Sequence, residues 1–389
     1  MQKINLFFIL AYKEQTYIYD KKIKELNEKL KNNIKVMDST LTWHYIMISK
    51  HFNLYNFYEY QDNIEEFENA VIYHLPNGRD NRDTAVEIDI LPFKGKIPIV
   101  VRSYDAHSPI KLSSNYLDTC HDFALTYLQP LVNNKNRIFA QLSYDNFLVK
   151  LFNNSAKNRK FACIVLRKEN RIEYHEKSED FKDISIQKTY HIREKYAKFE
   201  QIDIYGPNWP LDMKNYKGAL IYTKKHYIQN QYKFNFIIEN AITDNYLSEK
   251  ILDTFLSLSV PVYLGSPVVE KYIPKECFID IRDFNDNDKL IKYLENISDD
   301  EYDKYIDNIL KYRDEIFDNF STKNNFTLPI YKWYKENYNN DLNYSKEDFN
   351  NIENEINNIK FKDITLLENI KYFYSKLKLF INKKIHKYE

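Results

Sequence analysis

The chain is 389 residues long, 43% hydrophobic and 16% aromatic, with 56 basic residues against 56 acidic ones. That length suits two domains of about 100–200 residues with a short remainder, and the apolar content excludes a disordered or low-complexity chain. The even charge balance leaves no basic footprint for nucleic acid, which is therefore not an expected partner, although a local basic site for a phosphorylated ligand is compatible with it.

The first apolar run, Ile4–Leu10, is too short for a membrane helix, which needs about 20 apolar residues, and it lacks signal-peptide flanks. It reads as a buried first strand. No signal peptide or transmembrane anchor is expected, and a cytoplasmic location follows. Helical spacing runs over 19–31, and strands are expected at 70–74, 97–103 and 121–127, with a turn at Asn77-Gly78. This half carries neither a GxGxxG loop nor a Walker lysine loop.

Polar residues Asn153–Arg159 mark a boundary, after which Phe161–Leu166 begins a new buried strand. A helix over 190–199, a strand over Ile202–Tyr205 and a turn at Gly206-Pro207 follow. Strands alternating with helices predict a parallel sheet with right-handed crossovers. Residues 286–319 read as helical, and the Asn-rich, charged stretch 338–362 reads as a linker. The expected division is 1–155, 156–335, and 336–389 as linker plus C-terminal helix. Three scattered cysteines without CxxC spacing, Cys120, Cys163 and Cys277, argue against disulfides or zinc and fit a reducing compartment. Cys163 and Cys277 lie in apolar runs and are expected to be small buried hydrophobes.

The most informative segment is 232–284. Glu239-Asn240 closes an apolar run, and Tyr246, Glu249 and Lys250 open an amphipathic stretch. A second apolar run, Val260–Leu264, then closes on Gly265. The order is strand, loop, helix, strand, turn. In open α/β sheets, ligands bind at the carboxyl ends of strands beside helix N-termini. A nucleotide diphosphate sugar needs cations at its phosphates and suits a carboxylate at vicinal hydroxyls. Glu249 and Lys250 supply one of each, pointing about 100° apart on the helix. Ser248, or alternatively Asn245, can cap that helix. Outside this context a Glu-Lys pair would be an ordinary solvated helix face.

This segment closely resembles the donor-site motif of the α1,3/4-fucosyltransferases, glycosyltransferase family 10, which transfer fucose from GDP-fucose. The resemblance implies that Asn240, Tyr246, Glu249 and Lys250 line a GDP-fucose pocket, with Glu249 at the ribose and near the reacting sugar and Lys250 at the pyrophosphate. Arg193, in His191-Ile192-Arg193 ahead of the 202–205 strand, matches the family's second phosphate-binding cation. Val260–Val262, Gly265–Pro267, Pro274 and Phe278–Phe284 match scaffold positions. Ile238 stands where an aromatic is usual, and Leu247-Ser248 where Val-Thr is common.

The fold so implied is α/β of the GT-B type: two Rossmann-like domains facing across a cleft, acceptor on the N-terminal side and donor on the C-terminal side, with a C-terminal helical tail. The implied reaction is an inverting single displacement onto a glycan hydroxyl, with O3 or O4 of N-acetylglucosamine in a β-galactoside glycan as the family default. The family's general base is a glutamate in the N-terminal domain. Aligned on Ser108-Pro109, its position falls on Asp105, one methylene shorter, with His107 as the alternative base. Asp105 and Glu249 are therefore the candidate catalytic residues. Asp286-Asn287-Asp288 has metal-motif spacing but reads as a helix start. With Arg193 and Lys250 supplying positive charge, no metal and no cofactor beyond the donor substrate is expected. Two rival readings are a transferase using another nucleotide sugar and a non-catalytic glycan- or nucleotide-binding homologue.

The tail 363–389 places Leu366, Ile370, Phe373, Leu377, Phe380 and Ile385 at near-helical spacing, with lysines between them. Such a helix either makes peripheral contact with anionic membrane or docks on its own protein. If it binds membrane, truncation after Lys362 should abolish sedimentation with anionic liposomes. Unchanged sedimentation removes the membrane reading.

Overall fold

The computed structural model describes residues 1–10, 13–32, 40–75, 89–102, 122–126, 132, 137–140, 152, 159–166, 187–220 and 225–357. Two parallel sheets organise them. The first has six strands, β1 (Asn5–Leu10), β2 (Asn53–Asn56), β3 (Ala70–Leu75), β4 (Ile99–Arg102), β5 (Phe123–Thr126) and β6 (Arg137–Phe139), in the order β2-β1-β3-β4-β5-β6. Helices α1 (Lys13–Lys31), α2 (Thr40–His51) and α3 (Phe57–Tyr60) accompany the early strands. β1 lies inside the sheet and reads, after Asn5, as an unbroken apolar run because a parallel strand is covered on both faces. Its Phe7 ring lies 5.1 Å from both Tyr55 and Phe67 on one face, while Phe8 belongs to the core on the other.

The second sheet contains β7 (Lys160–Val165), β9 (Ile202–Tyr205), β10 (Tyr232–Ile238), β12 (Val260–Leu264) and β13 (Ile279–Asp280), in the order β13-β12-β10-β7-β9. A two-residue ribbon pairs β8 (Gln187–Lys188) with β11 (Ala241–Ile242), antiparallel. Helices α4 (Tyr190–Tyr196), α5 (Lys225–Gln229) and α6 (Glu249–Leu256) connect these strands. Pro261 sits inside β12, where a missing N–H would normally break a ladder. Here the Glu239 amide donates to Leu264 O at 2.8 Å, so alternate residues 260, 262 and 264 face β10 and Pro261 faces the other side. β13 first pairs at Val262, so Pro261 lies ahead of that ladder.

After β13 come α7 (Asn287–Asn296), α8 (Asp299–Asn319), a π-turn over Lys323–Thr327, α9 (Leu328–Asn337) and α10 (Lys346–Asn357). The chain there returns to the first sheet. Phe326, Ile330, Tyr331 and Trp333 share a core cluster with Leu6, Phe8, Val100 and Phe123. Trp333 stacks on Phe123 at 4.6 Å. The Tyr331 hydroxyl donates to His51 O at 2.8 Å and accepts from the Ile4 amide at 3.2 Å. Buried Lys323 bridges Asp318 at 2.9 Å and Glu353 at 2.8 Å, joining α8 to α10.

The chain is α/β with parallel sheets, as expected. The strands expected at the start of the chain and at 70–74, 97–103 and 121–127 are all present, within a few residues of their expected bounds. The stretch read as linker differs: residues 346–357 are helical, and Leu342 and Phe349 are fully buried. Phe349 packs at 5.0 Å from Tyr331, burial that the Asn-rich composition hid. Asp286 is a helix start, its side chain accepting from the Lys289 amide at 2.7 Å. Cys163 and Cys277 are free and buried. No described helix is long and apolar enough to cross a membrane. Cys120 and the tail 363–389 lie outside the described residues.

Burial lowers both His51 and His74 to about 3, with Lys3 and Lys323 adding to the effect at His51. The unfolded chain takes up these protons below about pH 6.5, while the folded chain refuses them until about pH 3. Stability contributed by the neutral rings is therefore complete above about pH 6.5 and declines through that window. The thermal midpoint should fall as pH drops from about 6.5 to 4, and His51→Gln should flatten part of the slope. An unchanged slope in both His51→Gln and His74→Gln would place the acid sensitivity elsewhere.

Candidate functional site

The strand order places β7 beside β10, with β9 beyond one and β12 beyond the other. The chain thus reverses direction across the sheet between β7 and β10, which is where open α/β sheets bind ligands at their carboxyl ends. β10 ends at Ile238, and Glu239 and Asn240 follow. Its polar terminus meets the N-terminus of α6 and the side of α4.

Glu239 is fully buried. Its two carboxylate oxygens accept from the Ser248 amide at 2.9 Å, the Ser248 hydroxyl at 2.5 Å and Lys250 Nζ at 3.3 Å. Lys250 Nζ also donates to Ser248 Oγ at 2.8 Å and lies 3.7 Å from Glu249 Oε1. Ser248 is the cap of α6, as its hydroxyl and position before the helix predict. A charge removed from water needs a partner, and Lys250, only 7% exposed, has Glu239.

On the opposite side of β10, Arg193 is 2% exposed and donates through Nη2 to Ile238 O at 2.9 Å and to Asn240 Oδ1 at 2.7 Å. Arg193 is thus packed against the end of β10 and is not a surface arginine. Thr189 Oγ1 donates to Glu239 O, and the β8–β11 ribbon extends the same seam. The segment carrying Arg193 is stitched to the end of β10 at four successive residues, Ile238 to Ala241.

The loop between β11 and α6 turns at Asn245, which adopts a left-handed φ of 61°. Its amide donates to Ser266 Oγ at 3.1 Å, and its side-chain carbonyl accepts from the Tyr272 hydroxyl at 2.7 Å. Asparagine tolerates that backbone region better than most residues. Asn245 is therefore a turn residue here and not the helix cap. Tyr246, 2% exposed, follows directly.

The Glu249 side chain remains 27% exposed at the head of α6. Burial pushes its carboxyl upward, but the charges of Lys250 and Lys225 and hydrogen bonds from its own amide and Ser248 hold it below the usual carboxylate value. Glu249 is thus an anion at neutral pH. Behind α6, Lys225 pairs with Asp253 at 2.7 Å, both buried.

The structure brings Arg193, Asn240, Tyr246, Glu249 and Lys250 to one edge of the second sheet. Asp105 and His107, the candidate bases, lie outside the described residues, beyond the end of β4 at Arg102. Sequence reasoning passed over Glu239, although a carboxylate closing a buried parallel strand was a usable signal. Among the described residues, no group of three or more His, Cys, Asp or Glu side chains could hold a metal ion.

A model of the glycosyltransferase family 10 (fucosyltransferase) C-terminal domain matches residues 177–334, a stretch that contains β10, α6 and Arg193. Residues 177–334 are a glycosyltransferase family 10 domain. The family 10 domain is similar to an α-(1,3)-fucosyltransferase of Helicobacter pylori, 35% identical over 82 residues, covering 21% of this chain and 17% of the relative. It is also similar to a 4-galactosyl-N-acetylglucosaminide 3-α-L-fucosyltransferase of Mus musculus, 43% identical over 67 residues, covering 17% of this chain and 19% of the relative. The chain thus spans less than a fifth of the length of these curated relatives. Beyond the family 10 domain, the backbone follows a solved α1,3-fucosyltransferase with a TM-score of 0.50 at 19% identity, covering 89% of this chain and 94% of that one. The two-sheet fold is of the GT-B type.

Gly265 of the family 10 domain follows β12 where no side chain fits. A Cβ there would lie 2.6 Å from Glu239 Cγ and closer still to the Tyr263 hydroxyl. Gly265→Ala should cost about 1–3 kcal/mol of stability, read as a lower midpoint in denaturant. A midpoint equal to the parent's would show that Tyr263 and Glu239 have room to move.

Proposed function

We propose that the protein is a fucosyltransferase that moves L-fucose from GDP-fucose to a hydroxyl of a glycan acceptor. The observation that carries this reading is the convergence of Arg193, Asn240, Tyr246, Glu249 and Lys250 at the carboxyl end of β10. Two cations there suit a diphosphate, and the Arg193 guanidinium suits bidentate contact with phosphate oxygens. The N-terminus of α6 adds favourable potential for the same group. Glu249, ionised and partly exposed, suits the ribose hydroxyls and the positive charge that develops on the sugar as the leaving diphosphate departs.

The transfer is read as an inverting single displacement. Asp105 takes the proton from the acceptor hydroxyl while GDP leaves from the opposite face of the sugar. O3 or O4 of N-acetylglucosamine in a β-galactoside glycan is the acceptor assigned. Residues 1–155 form the acceptor side and 156–335 the donor side. Arg193 and Lys250 carry the charge of the leaving group without a metal ion. Free, buried Cys163 and Cys277 suit a cytoplasmic enzyme. Aspartate in place of the family's glutamate gives weight to one rival, a non-catalytic glycan- or nucleotide-binding homologue.

Ligand at 100 times its dissociation constant adds about 2.7 kcal/mol of stability. GDP and GDP-fucose, each with EDTA, should therefore raise the thermal midpoint, and UDP-galactose and UDP-N-acetylglucosamine should not. Stabilisation by a uridine sugar alone would reassign the donor. GDP release with acceptor should persist in EDTA, and Asp105→Asn should lower it at least 100-fold while GDP binding stays near normal. Turnover retained in Asp105→Asn removes Asp105 from the role, and no turnover in the parent supports the non-catalytic rival.

A further inference from the structure

We infer that Glu239 is a positioning residue of the donor site, an internal anion that fixes the Lys250 ammonium and opposes the diphosphate that Lys250 attracts. The inference rests on the donor-site reading above.

The geometry gives Glu239 both parts. Its carboxylate lies 3.3 Å from Lys250 Nζ and accepts two further hydrogen bonds from Ser248, so it cannot swing aside without leaving those donors unmatched. A Cβ at position 265 would stand 2.6 Å from its Cγ, so the stem of Glu239 has no spare room there. Lys250 is a long side chain whose four rotatable bonds would otherwise spread its ammonium over many positions. Held between Glu239 and Ser248 Oγ, the ammonium is preset at the head of α6.

The same placement puts a negative charge directly behind the cation. A phosphate oxygen meeting Nζ from the opposite side would stand about 6 Å from the Glu239 carboxylate. Like charges at that separation in a partly buried site weaken binding by roughly 10- to 100-fold. Tight binding of GDP would slow its departure after transfer, and product release limits many enzymes. Glu239 thus trades affinity for GDP against a fixed lysine and faster release.

Glu239→Gln removes the charge at nearly constant shape. GDP titrated calorimetrically should bind this variant about tenfold or more tightly than the parent, while transfer from GDP-fucose shows a lower KM and a lower kcat together. A residue needed only for folding would instead weaken GDP binding and raise KM. GDP affinity equal to or below the parent's overturns the inference.

Where Glu239→Gln does not fold, Lys250→Gln is compared with Glu239→Gln/Lys250→Gln, in which the buried pair is neutral. The double variant should bind GDP more tightly than Lys250→Gln alone. Equal or weaker binding overturns the proposal. Absence of GDP binding by the parent overturns the donor-site reading and the inference with it, whereas parental binding without the Glu239 effect sinks the inference alone.

Discussion

A buried carboxylate facing a buried ammonium, Glu239 against Lys250, is the interaction on which the rest of the site depends. Neither charge could remain in this interior alone. Meeting each other, they tie the end of the central strand β10 to the first turn of α6, with Ser248 bonded to both. The strand sets where the carboxylate sits, and the cap sets where the helix begins. Gly265 is then required because the Tyr263 ring and the carboxylate stem together occupy the space of a side chain. Position, charge and packing are one constraint.

The charge count within this edge explains its character. Arg193 and Lys250 are positive, and Glu239 and Glu249 stand close by as carboxylates. Lys250 is thus paired with carboxylates in the free protein. An arrangement of this kind keeps the buried ammonium stable in the free protein. Arg193 follows the same logic with neutral partners, the Ile238 carbonyl and Asn240. Those bonds hold its fork beside β10, so that its orientation is set by strand backbone and not by solvent.

The two sheets are coupled through the return of the C-terminal helices. Tyr331 bonds to the start of β1 and the end of α2, and Trp333 stacks on β5. Val101 of β4 and Ala124 of β5 belong to the same apolar cluster as the second sheet's core. β4 is thus anchored in a core shared with the second sheet, which is the condition for the two sheets to keep a fixed separation.

By itself the sequence determined what is local. Predominantly apolar runs such as Ile4–Leu10 and Tyr232–Ile238 marked buried parallel strands, because such strands need apolar faces on both sides. Glu249 and Lys250 behind Ser248 marked the start of a capped helix, because a cap acts within one turn. The Asn-rich composition of 346–357 suggested a linker, although Phe349, Ile352 and Ile356 already carried helical spacing. Only the tertiary structure decided where that helix packs, and that Glu239 rather than solvent neutralises Lys250. It also showed that Arg193 faces β10 and that Asn245 turns the loop in a left-handed conformation. Those outcomes are contacts between residues far apart in the chain, made where strands end and helices begin together. No periodicity within a single segment encodes them.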